Sequence, residues 1–286
     1  MAYVRLPSWL KTNSLRGLRP TKSLLRKHRI ATVCEEARCP NKGHCFSKPT
    51  AAFLILGDNC TRNCGFCSVG HAGVKEPDPG EPERVALAAI ELGLRHVVIT
   101  SVTRDDLKDG GAAHFARTIQ AVRCGLPDAT IEALTPDFKG SIEALQLVLA
   151  ARPNVFNHNI ETVASLYKKV RPQADYQTSL SVLRNAKAIA PGIKVKSGLM
   201  AGFGETFEEV AAVMRDLRAC GCDFITIGQY LRPSRKNLPV IEYVLPEVFE
   251  RWRLEALEMG FEYAASAPLV RSSMNAEEAV GRGGGG

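Results

Sequence analysis

Short β-branched apolar runs alternate with longer stretches of helical periodicity along most of the chain. The runs at 96–100, 130–133, 154–157, 193–199 and 224–228 read as strands, and 52–57 reads as one more ahead of them. Helices are predicted near 83–93, 112–124, 141–151, 178–189, 207–220 and 247–259. Leu87, Ile90, Glu91 and Leu94, for example, give an apolar stripe at helical spacing with one polar interruption. Pro82, Pro153, Pro191 and Pro246 stand at element boundaries, where a residue without an N–H is tolerated. Strands that alternate with helices predict a parallel α/β sheet joined by right-handed crossovers. A doubly wound sheet and a barrel both satisfy the pattern, and an incomplete (β/α)6 barrel suits the count. In either architecture the functional side chains gather at the C-terminal ends of the strands.

The repeat occupies residues 51–261, which leaves an N-terminal extension at 1–50 and a C-terminal segment at 262–286. The last six residues, Gly281 to Gly286 with Arg282 among them, have nothing to bury and read as a tail. With 286 residues, 45% hydrophobic and 23% charged, the composition is globular and excludes a collagen-like, coiled-coil or largely disordered chain. The longest apolar stretch, 51–56, is too short to span a bilayer, and the N-terminus lacks the apolar core of a signal peptide. The expectation is a soluble, cytoplasmic protein.

The net charge of +7 is concentrated at one end. Residues 1–33 hold eight Lys or Arg and no acid, and the remainder is near neutral. A solvated tail is the plain reading of this arm. A transit peptide fits its composition less well, because Trp9 suits a mature segment. Arg16, Arg19, Lys22, Arg26, Lys27 and Arg29 could also meet an acidic partner. Nucleic acid is the weakest such partner, since residues 10–33 lack the aromatic side chains that would stack on bases.

Nine cysteines call for a chemical reason. An odd count in a chain this long argues against a disulfide framework. Cys34, Cys39 and Cys45 are spaced C-x4-C-x5-C, and Cys60, Cys64 and Cys67 are spaced C-x3-C-x2-C. Cys124, Cys220 and Cys222 are scattered and read as small buried hydrophobes. Thiolate triplets suit soft metals. Structural zinc would need a fourth ligand, which His71 could give the second triplet and His28 or His44 the first. An iron–sulfur cluster on three thiolates would instead leave one iron open. Neither triplet has the paired C-x2-C…C-x2-C layout of a zinc ribbon, so spacing favours iron–sulfur over zinc, more for the second triplet than for the first.

The segment from Cys60 through Thr61, Arg62, Asn63, Cys64, Gly65 and Phe66 to Cys67 resembles the signature of radical S-adenosylmethionine (SAM) enzymes. Further segments resemble the lipoyl synthase family within them. These are Cys34 to Asn41 with Cys45, Leu54 to Asp58, Thr100 to Val102, Arg104 to Leu107, Asp109 to Gly111, Phe156 to Asn159, Lys196 to Met200, Gly228 to Leu231, and Arg271 to Ser273. They run in family order from about residue 5 to residue 275; the one departure is Met274, where the family usually has an aromatic residue.

The resemblance implies a partial (β/α)6 barrel and the insertion of two sulfur atoms at C6 and C8 of an octanoyl chain on a carrier lysine. Unactivated C–H bonds offer no acid or base handle, so such chemistry belongs to a cofactor. Cys60, Cys64 and Cys67 would hold a 4Fe–4S cluster that binds SAM. Cys34, Cys39 and Cys45 would hold an auxiliary 4Fe–4S cluster that gives up sulfur, with Ser272 as fourth ligand. Without the resemblance, helix capping would be the plainer reading of Ser272 and of Ser273 beside it; with it, the ligand reading is preferred for Ser272. Thr100, Ser101, Glu132, Asn157 and Asn159 would form the wall against SAM, and Arg171 would pair with its carboxylate. Gly110–Gly111, Ser197–Gly198, Gly202 and Gly204 fit either close approach to a ligand or simple turn chemistry. As partners the resemblance implies octanoylated lipoyl carrier domains, namely E2 subunits of 2-oxoacid dehydrogenases and the glycine cleavage H protein. It also implies an electron donor such as ferredoxin or flavodoxin, and an iron–sulfur carrier that rebuilds the auxiliary cluster. No nucleic-acid or membrane partner follows from it. Another radical SAM enzyme, or a zinc-stapled nucleic-acid-binding protein, are the competing readings.

Overall fold

A computed structural model describes residues 6–11, 18–47 and 52–273. Eight strands form one sheet in chain order. They are β1 (Ala31–Thr32), β2 (Ala52–Ile55), β3 (His96–Ser101), β4 (Thr130–Leu134), β5 (Val155–Asn157), β6 (Lys194–Ala201), β7 (Phe224–Gln229) and β8 (Tyr263–Ser266). All neighbours from β2 to β8 pair in parallel, while β1 pairs antiparallel with β2. β1 and β8 are the two edges, so the sheet does not close. The six predicted strands are all present. The two edge strands escape the pattern because β1 has only two residues and β8 alternates small residues with Tyr263 rather than β-branched ones. β8 also carries the sheet into the segment that lies outside the predicted repeat.

Three short elements precede the sheet's second strand: α1 (Leu18–Lys27), α2 (Val33–Glu36) and α3 (Lys42–Ser47). The crossover helices are α4 (Glu81–Glu91), α5 (Ala112–Gly125), α6 (Ile142–Ala150), α8 (Tyr176–Ile189), α9 (Phe207–Ala219) and α10 (Pro246–Glu258), with the single-turn α7 (Tyr167–Val170) ahead of α8. Local chemistry starts several of them. Ser141 and Asp175 each accept a backbone N–H at a helix N-terminus, and Thr206 with Glu209 forms a reciprocal capping box on α9.

Strand alternation sorts the core into two parts. Val97, Ile99, Ile131, Ala133, Phe156, Val195, Ile225 and Ile227 are buried in the main apolar core with the helix faces. Residues of the other parity face the concave side of the sheet. There Val155 and Phe224 pack with Tyr263 in a small cluster of their own, and the polar Thr100, Glu132, Asn157, Lys196 and Thr226 are buried above it.

The two chain extensions meet over the C-terminal ends of the strands. Gln229 donates its backbone N–H to Pro268 O at 3.1 Å, and Asn41 Nδ2 donates to Leu269 O at 2.5 Å. Gly228 makes this passage possible, because a Cβ there would collide with the Val270 carbonyl oxygen. Gly228→Ala should therefore lift the 267–273 segment and destabilise the fold by about 1–3 kcal/mol, the usual range for overpacking. Denaturant midpoints check this; an unchanged midpoint would mean that the segment yields without loss.

Candidate active site

A cavity of about 500 Å³ opens where the strands end. Leu54 of β2, Thr100 and Ser101 of β3, Leu134 of β4, Met200 of β6 and Gln229 of β7 all stand in its wall. So do Cys34, Cys39, Cys60, Cys64 and Cys67, together with Arg271, Ser272 and Ser273. Cys45 lies on α3, close enough to Cys34 that its charge would oppose ionisation there. Both triplets and the Arg-Ser-Ser segment are thus brought together, although they are spread from residue 34 to residue 273.

The loop that carries the second triplet is tied down on several sides. Thr61 donates its N–H and its hydroxyl to Thr103 O and accepts the Asp105 N–H, Gly65 N–H donates to Val170 O at 2.8 Å, and Leu238 N–H donates to Gly65 O at 2.9 Å. Asn237 Nδ2 reaches Cys67 O at 2.7 Å. The backbone amides of Arg62 and Thr103 point at Cys60 Sγ, at 3.4 and 3.3 Å. Such donors stabilise a sulfur that carries negative charge. Arg62 is clamped between two carboxylates, Asp105 at 2.7 Å and Asp137 at 2.6 Å. Burial opposes the Asp137 charge, but the Arg62 hydrogen bonds outweigh it and hold that carboxyl at about 2.

Burial pushes the thiols of Cys34 and Cys67 up to about 12 and raises that of Cys64. Buried thiols of this kind become thiolates only when a cation takes the place of the proton. Among the described residues no group of three His, Cys, Asp or Glu side chains is set to hold a single metal ion. The ligands of a 4Fe–4S cubane stand on separate irons, and so lie farther apart than the ligands of one ion. His71, the candidate zinc ligand, has its Nδ1 at 3.3 Å from the carbonyl of Cys60 rather than at a thiol.

A directional chain of hydrogen bonds supports Arg171 in the wall. Arg171 Nη1 donates to Tyr167 OH at 2.7 Å and to Asn159 O at 3.1 Å. Tyr167 OH meets Ser179 Oγ at 2.7 Å, which meets His158 Nε2 at 3.0 Å, while His158 Nδ1 lies 2.8 Å from Thr135 O. A carbonyl only accepts, so Nδ1 carries the proton and Nε2 accepts from Ser179. Three buried polar atoms of wall residues have no partner among the described residues: Arg171 Nε, Ser101 Oγ and Thr135 Oγ1. Thiols, an unpaired guanidinium N–H and unpaired hydroxyls on one cavity form a donor set that fits an iron–sulfur cluster beside a small charged cofactor.

Of the residues expected to face SAM, Thr100, Ser101, Asn159 and Arg171 line the cavity. Glu132 and Asn157 do not; they lie below it in the concave polar layer. Glu132 is paired with Lys196 Nζ at 2.9 Å and accepts from Asn157 Nδ2 at 2.7 Å. Burial opposes its charge, yet Lys196 prevails and holds the carboxyl at about 2. Asp109 caps the turn before α5 through the N–H groups of Gly111 and Ala113, and Ser197 Oγ bonds to His158 O and Ile160 N, so both serve the scaffold. Cys220 and Cys222 are buried as expected, but Cys124 is exposed near the end of α5, which corrects its reading as a packing residue. Met274 and Arg16 lie outside the described residues. Arg62, His158, Tyr167 and Tyr230 are wall or support residues to which sequence reasoning gave no role; Arg62, His158 and Tyr230 lie inside family-like segments, and Tyr167 carried no signal.

Residues 54–217 match the radical SAM superfamily. The chain is 54% identical over 278 residues to the lipoyl synthase of Alkaliphilus metalliredigens, covering 96% of each chain. It is 55% identical over 276 residues to that of Oleidesulfovibrio alaskensis, covering 96% of this chain and 94% of the relative. Among solved structures, the FeFe-hydrogenase maturase HydG of Carboxydothermus hydrogenoformans aligns over 92% of this chain and 71% of its own, with a TM-score of 0.57 and 13% identity. Methylornithine synthase PylB aligns over 91% of this chain and 80% of its own, with a TM-score of 0.53 and 16% identity. At those identities the structural likeness is one of fold.

His158 is held at about 4, below its ordinary 6.5, chiefly by burial and then by the charge of Arg171. Between these values the unfolded chain binds a proton that the folded chain refuses, so stability falls as pH drops from about 6.5 toward about 4. His158→Gln should remove about 2 kcal/mol of the stability lost between pH 7 and pH 5. Chemical denaturation at both pH values checks it; an unaltered pH slope would show that His158 does not titrate in this way.

Proposed function

The chain belongs to the lipoyl synthase family of radical SAM enzymes, and on that premise we propose how its two cysteine triplets divide the reaction. It is a sulfurtransferase that uses 4Fe–4S clusters and SAM and acts on octanoylated lipoyl carriers. The convergence on one cavity of the second triplet, of Cys34 and Cys39 with Cys45 close behind them, and of the Arg-Ser-Ser segment is the observation that carries the assignment of roles.

Cys60, Cys64 and Cys67 hold the SAM-binding cluster and leave one iron open for SAM. Cys34, Cys39, Cys45 and Ser272 hold the auxiliary cluster. A hydroxyl oxygen is a harder ligand than a thiolate and suits an iron that must be given up. When bound, these groups supply what side chains lack: a radical able to take hydrogen from an unactivated C–H bond, and the sulfur that replaces it. The chain's own part is placement. Arg171 turns its unpartnered Nε to the SAM carboxylate, a charge-assisted contact, while Thr100, Ser101 and Asn159 border the same wall. Arg271 stands against Cys39; burial holds the guanidinium below its usual range, and the sulfur of Cys39 offsets only part of that. The crossing of the 267–273 segment over the N-terminal extension shields the reacting carbon from water.

The carrier, an acidic domain on this reading, docks on the basic arm. Lys22 is already paired with Glu35 at 3.0 Å and Lys27 with Glu91 at 2.8 Å, which leaves the exposed Lys11, Arg26 and Arg29 as the described cations of the arm open to a partner. A ferredoxin or flavodoxin as electron donor, an iron–sulfur carrier and a cytoplasmic setting complete the proposal. Among the described residues no helix is long and apolar enough to cross a membrane.

Two measurements test the division of labour. Cys64→Ala should reduce SAM cleavage to background, because electron delivery to SAM loses its site, whereas Cys39→Ala should keep SAM cleavage and lose lipoyl product. Lipoyl formation by Cys39→Ala would refute the sulfur-donor role. Ser272→Ala should retain SAM cleavage and lose most lipoyl formation, with Ser273→Ala mild; the reverse ranking would move the ligand to Ser273.

A further inference from the structure

Ser272 makes two hydrogen bonds of opposite direction. Its hydroxyl donates to Asn159 Oδ1 at 2.9 Å and accepts from Asn157 Nδ2 at 2.9 Å. Neither amide is free to turn over. Asn157 Nδ2 also donates to Glu132 Oε1, and a reversed amide would set its oxygen against a carboxylate that is ion-paired with Lys196. Asn159 Nδ2 donates to Glu161 Oε1 at 3.2 Å, which leaves its oxygen for Ser272. Gly198 gives the arrangement room, since a Cβ there would press on Thr226 and come within 3.1 Å of Asn159 Oδ1.

We propose that Asn157 and Asn159 are positioning residues that cradle the Ser272 hydroxyl as a free, protonated group and so compete with iron for its oxygen. The inference rests on the reading of Ser272 as the fourth ligand of the auxiliary cluster. A hydroxyl that donates to Asn159 keeps its proton, whereas an oxygen on iron has given that proton up and can only accept. Release from a bound cluster would therefore leave both electrons of the iron–oxygen bond on the Ser272 oxygen, which would take a proton from water and leave hydroxide to balance the charge. The cradle offers one donor and one acceptor, a match for the neutral hydroxyl and a mismatch for the alkoxide. It draws Ser272 toward release and thereby opens a coordination position on iron. Asn157 and Asn159 act through Ser272 and need not touch the reacting atoms.

The test uses the full-length protein carrying both clusters, without SAM. It is titrated with 2-mercaptoethanol, whose thiolate takes the iron position that serine leaves, and Mössbauer spectroscopy follows the auxiliary cluster. Asn157→Ala and Asn159→Ala should each weaken thiol binding roughly 3- to 10-fold, the weight of one hydrogen bond, because serine returns to iron. Ser272→Ala should tighten thiol binding and cancel the effect of Asn157→Ala in the double variant. Parent-like thiol affinity in both asparagine variants, with Ser272→Ala still tightening, would overturn the cradle and leave the ligand assignment intact. No change in Ser272→Ala itself would overturn the ligand assignment and the cradle with it. Asn159→Ala, in the cavity wall rather than the ion-pair layer, keeps the test decisive if Asn157→Ala folds poorly.

Discussion

Glu132 and Lys196 form an ion pair at 2.9 Å inside the concave face of the sheet, and each is only 1% exposed. Neither charge is tolerable alone at that depth, and removal of one partner from such a pair costs about 3–5 kcal/mol. The pair links β4 to β6 across β5, from which Asn157 donates to the carboxylate. Through Asn157 the order of this layer reaches Ser272, and with it the C-terminal segment. A strip of apolar residues could fill the same volume, but it would leave the Asn157 amide free to rotate. The charged pair therefore serves the orientation of groups above it more than the stability of the barrel itself.

The cavity above that layer is closed by parts of the chain that are distant in sequence. The loop of the second triplet hangs from the strand ends by backbone hydrogen bonds, and the first triplet approaches from the N-terminal side. Gly228 allows the C-terminal segment to pass directly over β7, and Asn41 receives it from the other side. Thiols whose ionisation burial opposes, such as those of Cys34, Cys64 and Cys67, gain little from such surroundings as structural groups; the proposed ligation of iron would make their environment favourable. The support under Arg171 has its own logic. Its orientation is determined by a run of hydroxyls that ends on a neutral His158, and its guanidinium stands in the same wall as Glu161 and Cys64, whose charges favour its cationic form.

The basic arm shows how folding redistributes what composition suggests. Eight cations and no acid in residues 1–33 look like a free electrostatic surface. In the fold α1 lies against the body, and Lys22 and Lys27 spend their charge on Glu35 and Glu91. Leu25 and Ile30 are buried in the main core, which makes α1 part of the structured protein and not a loose tail. The positive field of the arm is therefore smaller than the count of lysines and arginines implies.

Strand and helix positions were legible in the sequence because period-2 and period-3.6 patterns are local, and six strands with their crossover helices lie close to where those patterns put them. The two triplets were legible for the same reason, since ligand spacing is a property of a few consecutive residues. The edges of the sheet were not, because β1 and β8 are defined by the strand they pair with rather than by their own composition. Nor was the exposure of Cys124, which depends on how the end of α5 meets solvent. Pairings such as Asn157 with Ser272, 115 residues apart, or Asn41 with Leu269, 228 apart, join groups whose types are common and whose spacing carries no signal. The sequence by itself determined which elements form and which chemistry they can carry. Only the tertiary structure decided that Glu132 and Asn157 sit beneath the cavity and Arg171 in its wall, because strand register and barrel curvature assign each side chain its depth.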